Sequence, residues 1–382
     1  MKKIVIACDS FKGSLSSEQV AVAVERGIYS VFPDCEVHRV SVADGGEGTT
    51  VSLMHALKGC WMEAEVYDPL MRPIKARYGI ADEGRTAILE MAAASGLTLL
   101  PPHERNPMKT STYGIGQLIM DAYSRGCRRF IVGIGGSATN DGGTGMLRAL
   151  GFRFFDASGH ELTGGGEILS QIASIDSRNA QEIMRDSEFT VACDVNNPLT
   201  GRMGAAYVFA PQKGATGQMV AELDKGLRNY ARVIREFNGE DVEHAPGAGA
   251  AGGLGAGFKA LLGAELRSGI DLILDAVGFD GLLEGCDLVI TGEGRIDNQT
   301  IAGKVPWGVL RAAEGRRVPV VAIAGEVLYS ADCEKSGFAG VFPIQQGPST
   351  LEEAMKPEST SRYIETTVRQ IMNLIKRFDA RC

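Results

Sequence analysis

Five short segments of the sequence combine acidic, hydroxyl and glycine residues directly after a hydrophobic run. One such segment is ordinary turn chemistry, but five of them at the carboxyl ends of strands would converge on one face of an α/β fold. Together they offer cations, carboxylates and glycine amides, which are the groups that phosphoryl transfer needs. The segments are residues 9–14 (DSFKGS), 44–49 (DGGEGT), 133–145 (GIGGSATNDGGTG), 193–198 (CDVNNP) and 291–297 (TGEGRID).

Residues of these segments, together with Lys304, fall into three candidate roles. The catalytic candidates are Lys12, Asp141 and Asp194, with one carboxylate acting as base or orienter of an acceptor hydroxyl. The candidates for binding substrate or phosphate are Ser10, Gly13, Gly135, Gly136, Ser137, Thr139, Asn140, Arg295 and Lys304. The candidate ligands of Mg²⁺ are Asp44, Glu47, Glu293 and Asp297, of which only some can bind directly because magnesium keeps waters and phosphates around it.

The glycine-rich stretch also matches a dinucleotide-binding pattern, G-x-G-x-x-[G/A], at residues 133–138. In that motif residues 138–146 would be helical, yet they include three glycines, each costing about 1 kcal/mol relative to alanine in a helix. We therefore expect an extended loop that cradles an anion, followed by a helix that begins near Thr144. A purely structural turn, in which Asp141 caps that helix, remains an alternative. The P-loop pattern G-x-x-x-x-G-K-[ST] does not occur in the sequence.

Other features leave similar alternatives open. Arg295 could bind a phosphate or simply pair with Glu293 or Asp297. The segment 210–216 (APQKGAT) predicts a helix cap at Thr216 and a lysine, Lys213, that could reach a ligand. The segment 247–257 (GAGAAGGLGAG) favours close helix packing over a ligand contact.

The pattern of hydrophobic residues predicts the elements that position these segments. A strand at 3–7 is followed by a helix whose capping box joins Ser16 and Gln19, and then by a strand and a helix at 46–58. Short runs after Trp61 predict an antiparallel patch, and the last hundred residues return to α/β alternation. We expect an α/β fold of two domains. Residues 1–60 and 285–382 would form a doubly wound, mostly parallel, Rossmann-like sheet, and residues 61–284 an inserted mixed α/β domain, with boundaries uncertain by about 10–20 residues and the site in a cleft between.

Composition excludes several classes of protein. The 382 residues carry a net charge of −8, which argues against nucleic acid as the main partner. The eight cysteines form no C-x-x-C pair, so a reduced, cytoplasmic location is expected. We find no signal peptide, and no apolar run approaches the length of a membrane span. The sequence does not indicate an oligomeric state.

Taken together, the segments resemble the signature blocks of the type I glycerate kinase family. The blocks occur in the family's order from residue 9 to about residue 304, and the remaining tail is also similar. One departure is Cys8, where the family usually has proline. The blocks are DSFKGSLS, VADGGEGT, EMAAASGL, GIGGSATNDGGTGM, ACDVNNPLTG, APQKGAT, PGAGAAGGLGAG and TGEGRIDNQTIAGK.

The resemblance implies a two-domain enzyme that phosphorylates D-glycerate with ATP and Mg²⁺. Members similar to the enterobacterial enzymes make 2-phosphoglycerate in glyoxylate or sugar-acid breakdown. Combined with the residues, it suggests that cations and glycine-loop amides hold the carboxylate of glycerate, while its hydroxyl faces Asp194 or Asp141. Two other interpretations remain. They are an NAD-dependent hydroxy-acid dehydrogenase that uses residues 133–145, and a non-catalytic protein that binds small acids.

Overall fold

The computed structural model describes residues 1–42, 49–297, 304–328 and 337–379. It divides into two compact units, which we call unit 1 (Met1–Asp44 with Ile270–Cys382) and unit 2 (Gly45–Gly269). Unit 1 is thus built from both ends of the chain, and unit 2 is the inserted segment. The domain boundaries expected from the sequence, after residues 60 and 284, lie further along the chain than the divisions after Asp44 and Gly269.

The described strands, in chain order, are β1 (Lys3–Cys8), β2 (Glu36–Arg39), β3 (Cys60–Tyr67), β4 (Pro73–Ala81), β5 (Thr86–Glu90), β6 (Arg129–Gly133), β7 (Arg153–Phe155), β8 (Ser174–Asp176), β9 (Glu188–Ala192), β10 (Glu265–Arg267), β11 (Leu288–Ile296), β12 (Val320–Val327) and β13 (Gly340–Pro343). The described helices are α1 (Ser17–Tyr29), α2 (Thr49–Ala56), α3 (Ala92–Ser95), α4 (Tyr113–Ser124), α5 (Thr144–Ala149), α6 (Gln181–Asp186), α7 (Ala205–Phe209), α8 (Gly217–Asn238), α9 (Ala250–Leu262), α10 (Gly269–Ala276), α11 (Phe279–Leu282), α12 (Val305–Glu314), α13 (Leu351–Ala354) and α14 (Pro357–Asp379).

Unit 1 contains a five-stranded sheet in the order β13-β12-β11-β1-β2, and every pairing in it is parallel. Helices α1 and α14 pack on the face that carries Ile4, Ile6 and Cys8, and α12 packs against β11 and β1 outside that core. If the strands are numbered within the unit in chain order, the order across the sheet is 2-1-3-4-5. The chain adds β2 on one side of β1 and the later strands on the other side, so the switch point lies between β1 and β11. Open α/β sheets bind ligands beyond the carboxyl ends of the strands at such a switch point.

Helix α1 shows how local sequence chemistry sets an element of this unit. The backbone N–H of Gln19 donates to the Ser16 hydroxyl (3.3 Å), and the N–H of Ser16 donates to the Gln19 side chain (2.9 Å). This capping box confirms the predicted helix start. Gly27 then lets α14 approach closely, because a Cβ there would lie 2.8 Å from the backbone oxygen of Glu365.

Unit 2 contains a six-stranded mixed sheet in the order β10-β9-β6-β5-β4-β3. Strands β5, β6, β9 and β10 are parallel, whereas β3 and β4 run antiparallel, as the short runs after Trp61 predicted. Strands β7 and β8 form a separate antiparallel pair. The parallel and mixed sheets confirm the predicted α/β fold class, and the division into two units is consistent with the predicted insertion.

Two helices of unit 2 begin where their sequences predicted. Helix α5 begins at Thr144, and α8 follows Thr216, whose hydroxyl accepts from the N–H of Met219 (3.3 Å). Helix α9 is less regular than expected, because residues 251–253 have φ values of 53°, 71° and 91°. Among the described residues, no helix is both long and apolar enough to cross a membrane.

Candidate functional site

Four of the five predicted segments lie at or near the carboxyl ends of parallel strands, two on each of two sheets, and residues 44–48 of the fifth lie outside the described residues. In unit 1, Asp9 follows β1 and Asp297 follows β11. In unit 2, residue 134 follows β6 and residue 193 follows β9. The segment 291–297 was expected to be a loop, yet β11 continues to Ile296 because it pairs with β12 as far as Val327. The structure therefore presents two groups of candidate residues, one in each unit.

Five candidate residues of unit 1 line one cavity of about 850 Å³. It opens at the switch point between β1 and β11, where a ligand is expected in this strand order. The unit 1 cavity also has apolar walls, which include Phe11, Ile344 and Leu351. Of the residues named from sequence, those that line it are Ser10, Lys12, Glu293, Arg295 and Lys304.

The cations of the unit 1 cavity are balanced by carboxylates. Lys304 Nζ lies 3.4 Å from Glu293 Oε2, and Glu293 is almost fully buried. Arg295 Nε lies 3.3 Å from Glu326 Oε2 and 3.5 Å from Asp297 Oδ2. Arg295 therefore pairs with Asp297, as one alternative predicted, and with Glu326, which the sequence did not suggest. The charges of these cations are therefore partly balanced before an anion binds.

Asp9 and Gly13 shape the loop that follows β1. The backbone N–H of Ser10 donates to Asp9 Oδ1 (2.6 Å), which holds the buried Asp9 carboxylate against the turn. Gly13 has a φ of 80°, and a Cβ there would lie 2.7 Å from Met355 Cε. The backbone conformation therefore favours glycine at this position, whereas the flexible Met355 side chain could move aside.

In unit 2 the candidate residues lie on residues 134–143, which we call the glycine loop. It is joined to the neighbouring segment after β5 by backbone hydrogen bonds, from Leu97 N–H to Gly136 oxygen (2.8 Å) and from Ala138 N–H to Ser95 oxygen (2.9 Å). Its turn at Gly135 and Gly136 is exposed, whereas residues 137–143 are buried. The accessible part of the loop is thus bare glycine backbone.

The glycine loop does not form the helix that a dinucleotide motif needs. No residue from 134 to 143 is helical, and Gly142 and Gly143 have φ values of 64° and 80°. A Cβ at Gly142 would lie 2.8 Å from the Tyr230 ring. The extended loop expected from the glycine content is confirmed, and nicotinamide-dinucleotide binding in the manner of that motif is not supported.

Asp141 lies inside the glycine loop with no exposed surface. Its Oδ2 accepts from the Thr112 N–H and hydroxyl (both 2.8 Å) and from the Gly145 N–H (3.2 Å), and its Oδ1 accepts from the Gly143 N–H (3.1 Å). Burial raises the pKa of this carboxyl group, and these hydrogen bonds oppose the rise. The geometry is that of the capping alternative, and a direct catalytic role for Asp141 stays a prediction.

Lys213, the lysine that the sequence suggested could reach a ligand, is buried against the same loop. Its Nζ donates to the Ser137 hydroxyl (2.5 Å) and to the Thr139 backbone oxygen (2.6 Å). Burial lowers the pKa of Lys213 to about 7, while the negative charge of Asp141 opposes that shift. The signal in the sequence is the Pro-Gln-Lys-Gly segment at residues 211–214, which predicts a turn but does not show which groups the lysine side chain contacts.

The glycine loop also contains buried polar atoms that find no protein partner among the described residues. They are the hydroxyl of Thr139 and both polar atoms of the Asn140 side chain, and neither residue is exposed. Leaving a buried polar group unpaired costs about 1–3 kcal/mol. Such groups are rare in proteins and concentrate where a ligand, a water or a catalytic role explains them.

Asp194 differs from Asp141 because its side chain is exposed. It follows the end of β9, the strand beside β6, and its Oδ1 accepts from the Gly269 N–H (2.9 Å). Burial raises the pKa of the neighbouring Cys193 thiol to about 11, so this cysteine is not an activated nucleophile. Of the two candidate carboxylates in unit 2, Asp194 is therefore the one accessible to a substrate.

The described residues offer no preformed cage for a metal ion. Within the described ranges, no group of three or more His, Cys, Asp or Glu side chains could hold one. The predicted ligands Asp44 and Glu47 lie outside the described residues. Glu293 and Asp297 are each engaged by a cation of the unit 1 cavity.

The contrast between the two aspartates gives a test of the Asp141 geometry. In Asp141→Asn the amide NH₂ must face N–H donors, so we expect the free energy of unfolding to fall by about 1–3 kcal/mol. Asp194→Asn keeps an oxygen for the Gly269 N–H and should change stability by no more than about 0.5 kcal/mol. Denaturant unfolding of both variants measures this, and equal stability losses would contradict the assigned role of Asp141.

Comparison with known proteins places the whole chain in one family. The model of the glycerate kinase family matches residues 4–376. A glycerate kinase of Bacillus subtilis is 48% identical over 98% of both chains, and a glycerate 2-kinase of Escherichia coli is 47% identical over 93% of both. A crystal structure named for glycerate kinase 2 of Salmonella typhimurium superposes with a TM-score of 0.86, at 44% identity, over 99% of each chain. The chain therefore belongs to the glycerate kinase family.

Proposed function

We propose that the protein is a glycerate kinase that transfers the γ-phosphoryl group of ATP to D-glycerate, giving 2-phosphoglycerate and ADP. The observation that carries this proposal is the match to relatives with that name over nearly the full length of both chains. The chemistry of the two units agrees with it. Unit 1 offers a large cavity with cations, and unit 2 offers a small polar loop, so each unit suits a different substrate.

ATP suits the unit 1 cavity. A volume of about 850 Å³ is far more than glycerate needs and falls in the range of pockets for nucleotide-sized ligands. Lys12, Arg295 and Lys304 supply three cations for the triphosphate, and Phe11 and Leu351 supply apolar surface for a base. The position beyond the carboxyl ends of β1 and β11 is the one that nucleotides take in this type of sheet.

Magnesium is compatible with the side chains of the unit 1 cavity. Mg²⁺ usually takes one or two carboxylates and completes its shell with waters and phosphates, so the lack of a three-carboxylate cage in the described chain does not conflict with it. Glu293 and Asp297 would hold it, and Asp44 and Glu47 remain predicted ligands. The ion would neutralise charge on the phosphates during transfer.

D-Glycerate suits the exposed end of the glycine loop. The backbone N–H groups of Gly135, Gly136 and Ser137 donate to no described residue, and adjacent amides of a turn bind anions well. We propose that they bind the carboxylate of glycerate. Asp194, exposed at the end of the adjacent strand, would accept the proton of the attacking hydroxyl or orient it.

A cytoplasmic location agrees with this chemistry. Cys8, Cys35, Cys60, Cys127, Cys193 and Cys286 are all free thiols. Free thiols are the usual state in a reducing compartment. We propose that the enzyme acts there on small-molecule substrates alone.

A coupled assay tests the proposed activity. The protein is supplied with D-glycerate and Mg-ATP and ADP release is followed, and the reaction is then repeated with NAD in place of ATP. We expect ADP release that requires D-glycerate, and a ³¹P spectrum of the product with the phosphate on carbon 2. NADH formation, or no ADP release, would refute the proposal, and phosphate on carbon 3 would refute its regiochemistry.

The role of Asp194 has its own test. Asp194→Asn keeps the hydrogen bond to Gly269 but cannot accept a proton, so we expect kcat to fall roughly 10²- to 10⁴-fold. Asp241→Asn is the matched control, because Asp241 is an exposed aspartate of the same unit whose described ion pair is with Arg235. Steady-state kinetics measure both variants. Near-normal turnover in Asp194→Asn would remove this residue from the mechanism.

A further inference from the structure

The side chain of Lys213 lies buried against the glycine loop, beside the exposed turn. Lys213 comes from a different segment of unit 2, residues 210–216, and reaches the loop between Ser137 and Thr139. A fully buried cation is costly unless it is paired, so its position calls for an explanation. The proposed function places the carboxylate of glycerate just above it, and the role of Lys213 rests on that function.

Ser137 is buried but directly follows the exposed turn of Gly135 and Gly136, so its contact with Lys213 brings the lysine next to the accessible part of the loop. Lys213 Nζ donates to Ser137 Oγ, and the hydroxyl proton of Ser137 is then left to donate to another group. No described residue accepts that proton. A hydroxyl that already accepts from an ammonium group is polarised and becomes a stronger donor. Together with the unpaired amides of Gly135 and Gly136, it forms a set of donors suited to one carboxylate.

The backbone holds the lysine firmly in this position. Lys213 ends a short turn, Pro211–Lys213, and Gly214 follows with a φ of 92°. A Cβ at Gly214 would lie 2.2 Å from the backbone oxygen of Arg105. Only glycine fits there, so the lysine stem enters the unit at a fixed angle.

The negative charge of Asp141 acts on Lys213, but the Asp141 carboxylate accepts no hydrogen bond from the Lys213 side chain. The carboxylate already accepts four hydrogen bonds from Thr112, Gly143 and Gly145. Among the described residues, no ion pair joins Asp141 to Lys213. The Nζ of Lys213 instead donates to two oxygens of the glycine loop. The negative charge of Asp141 thus favours the protonated form of the buried Lys213, while the hydrogen bonds of Lys213 go to the glycine loop.

We infer that Lys213 is a positioning residue for the carboxylate of glycerate, which acts through the Ser137 hydroxyl. In its protonated form Lys213 orients that hydroxyl and adds positive charge next to the turn, so the site prefers an anionic acid to a neutral molecule of the same shape. Lys213 touches no substrate itself.

The test compares binding of D-glycerate with binding of D-glyceramide, its neutral amide, to the full chain by calorimetry. We expect the wild-type protein to prefer D-glycerate, and Lys213→Met to weaken D-glycerate binding by about tenfold or more with little change for D-glyceramide. Ser137→Ala should lose the same preference, and it provides the result if Lys213→Met does not fold. The matched control is Lys109→Met, which removes an exposed lysine of the same unit that pairs with Glu167.

The possible outcomes separate a positioning role from a structural one. Equal weakening of both ligands in Lys213→Met or Ser137→Ala would mean that the lysine only supports the fold, and it would overturn the inference. So would a wild-type protein with no preference, or variants that lose ATP binding instead, which would place a phosphate on the loop. Absence of D-glycerate-dependent ADP release from the wild-type protein is a different failure, because it would refute the proposed function itself.

Discussion

Four hydrogen-bond donors converge on the buried carboxylate of Asp141, and the geometry of unit 2's candidate site depends on them. The carboxylate joins the start of α5 to the segment before α4, through Gly143, Gly145 and Thr112. The loop can close around it only because its neighbours are small. A Cβ at Gly252 would lie 2.1 Å from the Thr139 oxygen. Many of the glycines are thus required by backbone packing, and only the exposed turn remains for a ligand.

The two units solve different binding problems with the same structural rule. In each, parallel strands end at one edge of a sheet, and the polar residues that follow them are brought together. Unit 1 uses side-chain cations held by carboxylates, such as Lys304 with Glu293, which suits a highly charged nucleotide. Unit 2 uses backbone amides above a buried Lys213, which suits a small monoanion. The difference in size and charge between the proposed substrates matches the difference between the sites.

Sequence reasoning succeeded where local chemistry decides the structure. The capping box at Ser16, the cap at Thr216 and the helix start at Thr144 all depend on residues within four positions of one another. It did not identify the burial of Lys213 or the pairing of Arg295 with Glu326, because those partners come from distant segments and adjacent strands. The candidate residues could be named from their types, but which of them face a ligand is a property of tertiary packing.

The central claim is that ATP binds the unit 1 cavity and D-glycerate binds the glycine loop. Calorimetric binding to Lys304→Met tests it most directly, with the exposed Lys2→Met of the same unit as control. We expect Lys304→Met to weaken Mg-ATP binding by about tenfold and to leave D-glycerate binding unchanged, because a phosphate loses one charge-assisted contact. Weakened D-glycerate binding with unchanged Mg-ATP binding would contradict it.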